Sequence, residues 1–256
     1  MIAVDSWEYM QARLSARNGE RPDDAAWRRL EVMRELSAAL DAARGSHLRQ
    51  WTTGITPEHS VHEIEATLRA HWRALVAEVA NWMPGQWRSC VAWCAVLADL
   101  PVLQYLARYG RAFAWMRSDA VYRDLCVEAS GACPAAWIVG PLAPLAAAWA
   151  EPDRFLAAWR AEWLRRLPRS SLADTPLLAR LVVILDRHFA AFGEADSSNG
   201  WSLRRALQAQ LTLLLRRAVL DPAAAFVFLA LATLDFERLR GELARRAAFP
   251  RAPLAS

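Results

Sequence analysis

Three groups of side chains in this sequence have types and spacing that could do chemistry. His59 and His62 stand three apart with Glu63 directly after, and His71 follows, which gathers imidazoles and a carboxylate near one helix start. Zinc needs three or four convergent ligands, and no cysteine pair has the two-residue spacing of a zinc hook, so cap and surface roles suit these histidines better and no metal is expected. Cys90 and Cys94 share a helix face one turn apart, but among Val91, Trp93 and Val96 they read as buried apolar thiols. The third group is charged: Asp235, Glu237, Arg238, Arg240 and Glu242, with Arg245 and Arg246 three and four residues beyond Glu242. Its chemistry is ion pairing between neighbours on a helix, and it makes a candidate contact or lobe-packing surface.

Enzymatic signatures are missing. Gly131-Ala-Cys-Pro lacks the lysine of a phosphate-binding loop, and the chain has no lysine at all. Neither a Gly-x-Ser-x-Gly elbow nor a Ser/His/Asp set is present, so no catalytic residue is nominated and no cofactor is expected. Most tryptophans read as packing residues: Trp72, Trp82, Trp87 and Trp93 flank the Pro84 turn, and Trp159 and Trp163 lie one turn apart beside Arg160, Arg165 and Arg166. Trp115, beside Met116 and between Gly110 and Asp119, reads as a loop residue and is the best candidate for an exposed anchor.

Composition sets wider bounds. A chain of 256 residues can form one large or two smaller domains with a substantial core. Cys90, Cys94, Cys126 and Cys133 are too few and too irregular for a disulfide scaffold, and Asp5 and Glu8 interrupt the place of a secretory signal, which suggests a cytosolic protein. The apolar runs 138–150 and 222–234 fall short of the about 20 residues that span a bilayer. Any work at a membrane would go through a partner. All 31 basic residues are arginine, and the net charge is +4. That balance is compatible with nucleic acid or an acidic surface, and equally with a genome that spells its basic residues as arginine.

The elements that must position these residues read as helices throughout. The pattern predicts a helix from Ser6 to about Arg17, and a longer one opened by Pro22, Asp23 and Asp24 that carries Trp27, Leu30, Met33, Leu36 and Leu40 to Gly45. Ser60 with Glu63 forms a capping box for a helix to about Trp82. Helices are predicted at 86–98, from Asp99 to Gly110, at 119–128, 152–167, 172–192 and 202–220. Pro222 then opens an apolar helix to Leu234, Asp221 caps it, and Asp235 starts a second, charged helix at a tight corner. Residues 1–130 read as an N-terminal helical part, 131–150 as an irregular connection rich in Gly and Pro, and 151–256 as a C-terminal part. Gly193 to Gly200 reads as a flexible loop. Val96 to Leu106 and Ala230 to Arg240 look like a faint internal repeat of helix end, corner and second helix.

The C-terminal run, with Asp221-Pro222 leading an apolar helix and a Glu/Arg-rich helix behind it, resembles the C-terminal end of the C-subunit family of V-type ATPases, also called the V0 d-subunit family. Tyr9-Met-Gln-Ala-Arg13 and Arg17 look like that family's opening helix, and Asp99-x-x-x-Leu103-x-x-Leu106 looks like its middle segment. The matches cover about a third of the chain, which is shorter than typical members. The resemblance implies a lobed, pseudo-repeated, funnel-like all-α fold without catalysis. It also implies the partners, namely the proteolipid ring and central-stalk subunits, with torque passed between ATP turnover and ion transport at the cytoplasmic face of a membrane. A helical scaffold derived from that family is the alternative, and an arginine-rich nucleic-acid-binding module is a further one.

Overall fold

The Ser60 hydroxyl accepts from the Glu63 amide at 3.3 Å, and the Glu63 carboxylate accepts from the Ser60 amide at 2.8 Å, so the capping box forms as its sequence requires. The computed structural model describes residues 7–126, 133–168, 174–194 and 199–249, apart from the side chain of Ala136. Regular structure among them is helical, and the fold is an all-α, multi-helix one.

The chain divides into two units, one of residues 1–91 with 168–256 and one of residues 92–167. Sequence composition placed the boundary at 131–150 instead. The described part of that stretch carries two short helices and lies inside the second unit, because its Leu145, Ala148 and Trp149 are buried rather than linking.

The first unit contains α1 (Trp7–Gly19), α2 (Asp24–Val32), α3 (Leu36–Arg44), α4 (Arg49–Thr52) and α5 (Val61–Trp82). It also holds α6 (Gly85–Ala92), whose last residue opens the second unit. The second unit, treated below, carries α7 (Leu100–Tyr109), α8 (Ala114–Ser118), α9 (Ala135–Val139), α10 (Ala143–Ala146) and α11 (Phe155–Arg166). The first unit resumes with α12 (Pro176–Glu194), α13 (Gly200–Arg217) and α14 (Ala223–Ala248). Helix α14 is the one the others organise around: it packs along α5 and α13 and touches α1, α3 and α12. Its residues Ala223 to Leu229 are all buried, as an apolar helix without a charged face must be.

The corner expected at Asp235 does not exist. Helix α14 runs unbroken for 26 residues. No proline or glycine stands near Leu234 to break it, and the Asp235 carboxylate accepts from Arg21 Nε at 2.7 Å instead of capping a new helix. The internal repeat fails with it, since the corner at Asp99 has no counterpart in α14.

The opposite correction applies near the N-terminus. One helix was expected from Pro22 to Gly45, and the chain breaks between α2 and α3, where Met33 is extended and its amide bonds Leu30 O at 3.2 Å. The Leu30 carbonyl also accepts from Arg246 at 2.9 Å, and so does the freed carbonyl of Met33 at 2.7 Å. A cation at a helix C-terminus suits the dipole and satisfies groups that a continuous helix would have used.

In the second unit the chain tightens into 3-10 turns more often than the pattern suggested. The predicted 86–98 helix is α6 followed by a 3-10 segment, Trp93–Ala98. Helix α7 ends at Gly110 in the left-handed region (φ 61), where a glycine costs nothing. The helix expected from Asp119 is a turn and a short 3-10 segment, Arg123–Leu125. The Asp119 carboxylate accepts from the Val121 amide at 2.8 Å, a local turn that competes with helix; residues 127 and 128 lie outside the described ones. Most of the 193–200 loop also lies outside them.

Tryptophans hold this unit together. Trp93 Nε1 donates to Trp159 O at 3.0 Å and Trp159 Nε1 donates to Trp93 O at 3.2 Å, a reciprocal clasp between the 3-10 segment and α11. Trp159 and Trp163 stack with ring planes 9° apart, as their one-turn spacing suggested. Trp137 is fully buried, edge-on to Trp149 and Phe155.

Glu162 on α11 accepts from Arg165 Nε and Arg166 Nε, both at 2.6 Å. These partners hold its carboxyl below the ordinary value of 4.5, Arg165 most, against a smaller upward push from burial. A lowered folded value gives stability that is present above pH 4.5 and lost as pH falls through the folded value. Thermal melts by circular dichroism from pH 7 to pH 3 are expected to show a Glu162→Gln variant less acid-sensitive than the parent.

Candidate interaction surfaces

The five charged residues read from the sequence fall on α14, and none of them is exposed. Asp235 is 4% exposed and is paired with Arg21, itself half-buried in the turn between α1 and α2. Burial pushes the Asp235 carboxyl above its ordinary range, with Arg21 and then Arg238 pulling it back. Arg238 donates to Glu31 at 2.5 Å, and its guanidinium lies over the rings of Trp27 at 4.4 Å and Trp201 at 4.6 Å. Arg240 bonds Glu65 on α5 at 2.9 Å and Glu237 at 3.1 Å. Glu242 accepts from Arg246 at 2.6 Å and Arg245 at 3.2 Å.

Of the two uses that sequence allowed for this stripe, packing is the one that the geometry serves. Arg238 and Arg240 reach different helices of the first unit, so a reversal of Glu237 or Arg238 would read folding before it read any partner. Arginine suits the work because a planar fork bonds a carboxylate while its face stacks on an indole.

Trp115 is half-buried in α8, not in a loop, and lies edge-on to Tyr122 with centroids 6.1 Å apart. Tyr122 in turn donates its hydroxyl to Asp99 at 2.6 Å in a buried pair that anchors the start of α7. The exposed aromatic surface of this unit is next door. Tyr105 stacks on Phe113 at 4.9 Å and meets Tyr109 at 4.8 Å, with Tyr109 and Phe113 about half exposed.

The histidines and cysteines settle into ordinary places. His71 Nε2 lies 2.8 Å from Thr53 O, and His59 Nδ1 accepts weakly from the Thr56 amide at 3.5 Å. Cys90 and Cys94 are buried, and Cys90 donates to Trp87 O at 3.0 Å. No cluster of three metal-ligating side chains occurs among the described residues. No single helix among them is long and apolar enough to cross a membrane; one bent pair, Gly85–Ala98 with Leu100–Tyr109, passes on length and composition alone.

Sequence reading missed a large concave feature of the first unit. It is a cleft of about 830 Å³ where the end of α1, α2 and the α3–α4 turn converge, lined among others by Arg17, Arg29, Arg44 and Arg49. Nothing in the one-dimensional pattern could have shown it, since each arginine sits alone on an amphipathic helix or turn. Arg21 and Arg246 were missed as partners for the same reason: their acceptors lie 214 and 216 residues away.

No protein-family model, curated protein or solved structure matches the chain. Function therefore rests on residues and geometry.

Proposed function

We propose that the chain is a non-catalytic helical adaptor that joins protein partners, of the kind that the C-subunit or V0 d-subunit family of V-type ATPases supplies between a proteolipid ring and a central shaft. The observation that carries this reading is where the resembling residues sit. Leu103 and Leu106 are buried on α7, and Asp99 at its start is bound by Tyr122. On α1 the match is less central: Tyr9 and Arg13 are exposed, their neighbours Met10 and Leu14 are buried, and Arg17 pairs with Glu78 on α5 at 2.5 Å. The middle and C-terminal segments that resemble the family thus help to build the framework, as a shared fold requires.

An adaptor needs stiffness to pass load, and internally paired arginines on a long central helix favour it. One departure weighs on the finer reading: the corner that would divide the C-terminal segment into an apolar and a charged helix is replaced by the continuous α14.

The test is recovery of partners. A tagged copy expressed in its own host, with membranes gently solubilised, is expected to bring down proteolipid-ring and central-stalk subunits. Recovery of the protein alone, soluble and without either set, would remove the rotary reading.

A further inference from the structure

We infer that the cleft between α1, α2 and the α3–α4 turn is a docking site for a carboxylate-rich segment of a protein partner. Its lining sets Arg17, Arg29, Arg44 and Arg49 against the carboxylates of Glu20 and Asp23. Both acids are already engaged inside the protein. Asp23 caps α2 by accepting from the Ala26 amide at 2.7 Å, and Glu20 accepts from Arg17 at 3.0 Å. Arg17 is spent on Glu20 and Glu78, and Arg44 on Asp41 and the carbonyl of Ile55. Arg29 and Arg49 are exposed, and among the described residues their guanidinium groups have no ion pair or hydrogen bond.

The cleft therefore holds two unspent forks with no acid left to answer them, in a concavity that focuses their field outward. Among the described residues, other exposed arginines of this unit, such as Arg28 and Arg187, also have no ion pair, but Arg29 and Arg49 line one concavity together with Arg17 and Arg44. A protein segment fits better than a small ligand. Small-molecule pockets are mostly apolar with a few polar groups, whereas this lining is dominated by charge and spread over three elements, a geometry that suits several carboxylates along one chain. Arginine forks bind carboxylates two donors at a time. The inference does not depend on which machine the adaptor serves.

The test uses the full chain and fluorescence anisotropy with a fluorescein-labelled glutamate-rich peptide, and the same peptide with glutamine in every glutamate position. The parent is expected to bind the first and not the second. Arg29→Glu combined with Arg49→Glu is expected to weaken binding at least about tenfold, since like charges now face each other across the contact. Arg180→Glu with Arg187→Glu on exposed positions of α12 changes the net charge equally and is expected to leave binding unchanged. Equal losses in the two double variants would reduce the effect to overall charge and overturn the site. No binding by the parent would overturn it directly. Displacement of the peptide by inorganic phosphate at concentrations where chloride has no effect would overturn the assignment to a carboxylate partner. Circular dichroism of each variant separates loss of binding from loss of fold.

Discussion

Replacing Arg246 with methionine is expected to destabilise the protein by about 3–5 kcal/mol, the cost of breaking a buried charged network by removing one partner. The side chain is 1% exposed and lies at the end of α14. It donates to the carbonyl of Met33, which the break between α2 and α3 has left without a helical partner, to that of Leu30, which otherwise has only the Met33 amide, and to Glu242. Methionine matches the apolar stem, leaves the Met33 carbonyl unpaired at about 1–3 kcal/mol, and strips the buried Leu30 carbonyl of its second donor. Arg246→Lys keeps the charge but cannot fork across two carbonyls and a carboxylate, so it is expected to recover only part of the loss. Denaturant unfolding followed by circular dichroism measures both. A change below about 1 kcal/mol for Arg246→Met would show that α2 and α3 are held by packing alone.

The second large effect lies at Arg21 and Asp235. Arg21→Ala is expected to cost about 3 kcal/mol because it strands a carboxylate in the core, while Asp235→Asn costs less, since a neutral amide is easier to bury. The pH dependence separates the two causes. Burial raises the folded Asp235 value above the ordinary 3.8, so this group's contribution is fully present below that value and is lost as pH rises through the folded one. Without Arg21 the rise is larger. The deficit of Arg21→Ala against the parent is therefore expected to narrow as pH falls, and that of Asp235→Asn is not. Combining Arg21→Leu with Asp235→Leu is expected to approach parental stability, because a buried pair gains little over apolar packing. A deficit in Arg21→Ala that stays constant with pH would place the loss in packing rather than in the stranded charge.

These two sites mark where reading residues in order stops being informative. Local chemistry was legible: the Ser60–Glu63 box, the helix start at Asp23 and Asp24, Gly110 at the end of α7, and the stripe from Ile64 to Val79 depend on neighbours within a turn or two. So was the burial of the tryptophans around Pro84. The break at Met33 was not, because apolar spacing continues through it and the groups that stabilise it come from Arg246. Nor was the continuity of α14, where a change from apolar to charged residues looked like a helix start and is only a change of neighbours along one helix.

By itself, then, the sequence determined that this protein is all-helical, where most helices begin, and that its arginines would seek carboxylates and indoles. Tertiary structure decided which ones they found. It turned Asp235, Arg238 and Arg240 from a surface into packing, divided the chain at 91 and 168, and left Arg29 and Arg49 facing an open cleft. The reason is range: caps and amphipathic stripes are set by contacts within a turn or two, whereas a buried charge takes its partner from whichever helix the fold brings against it.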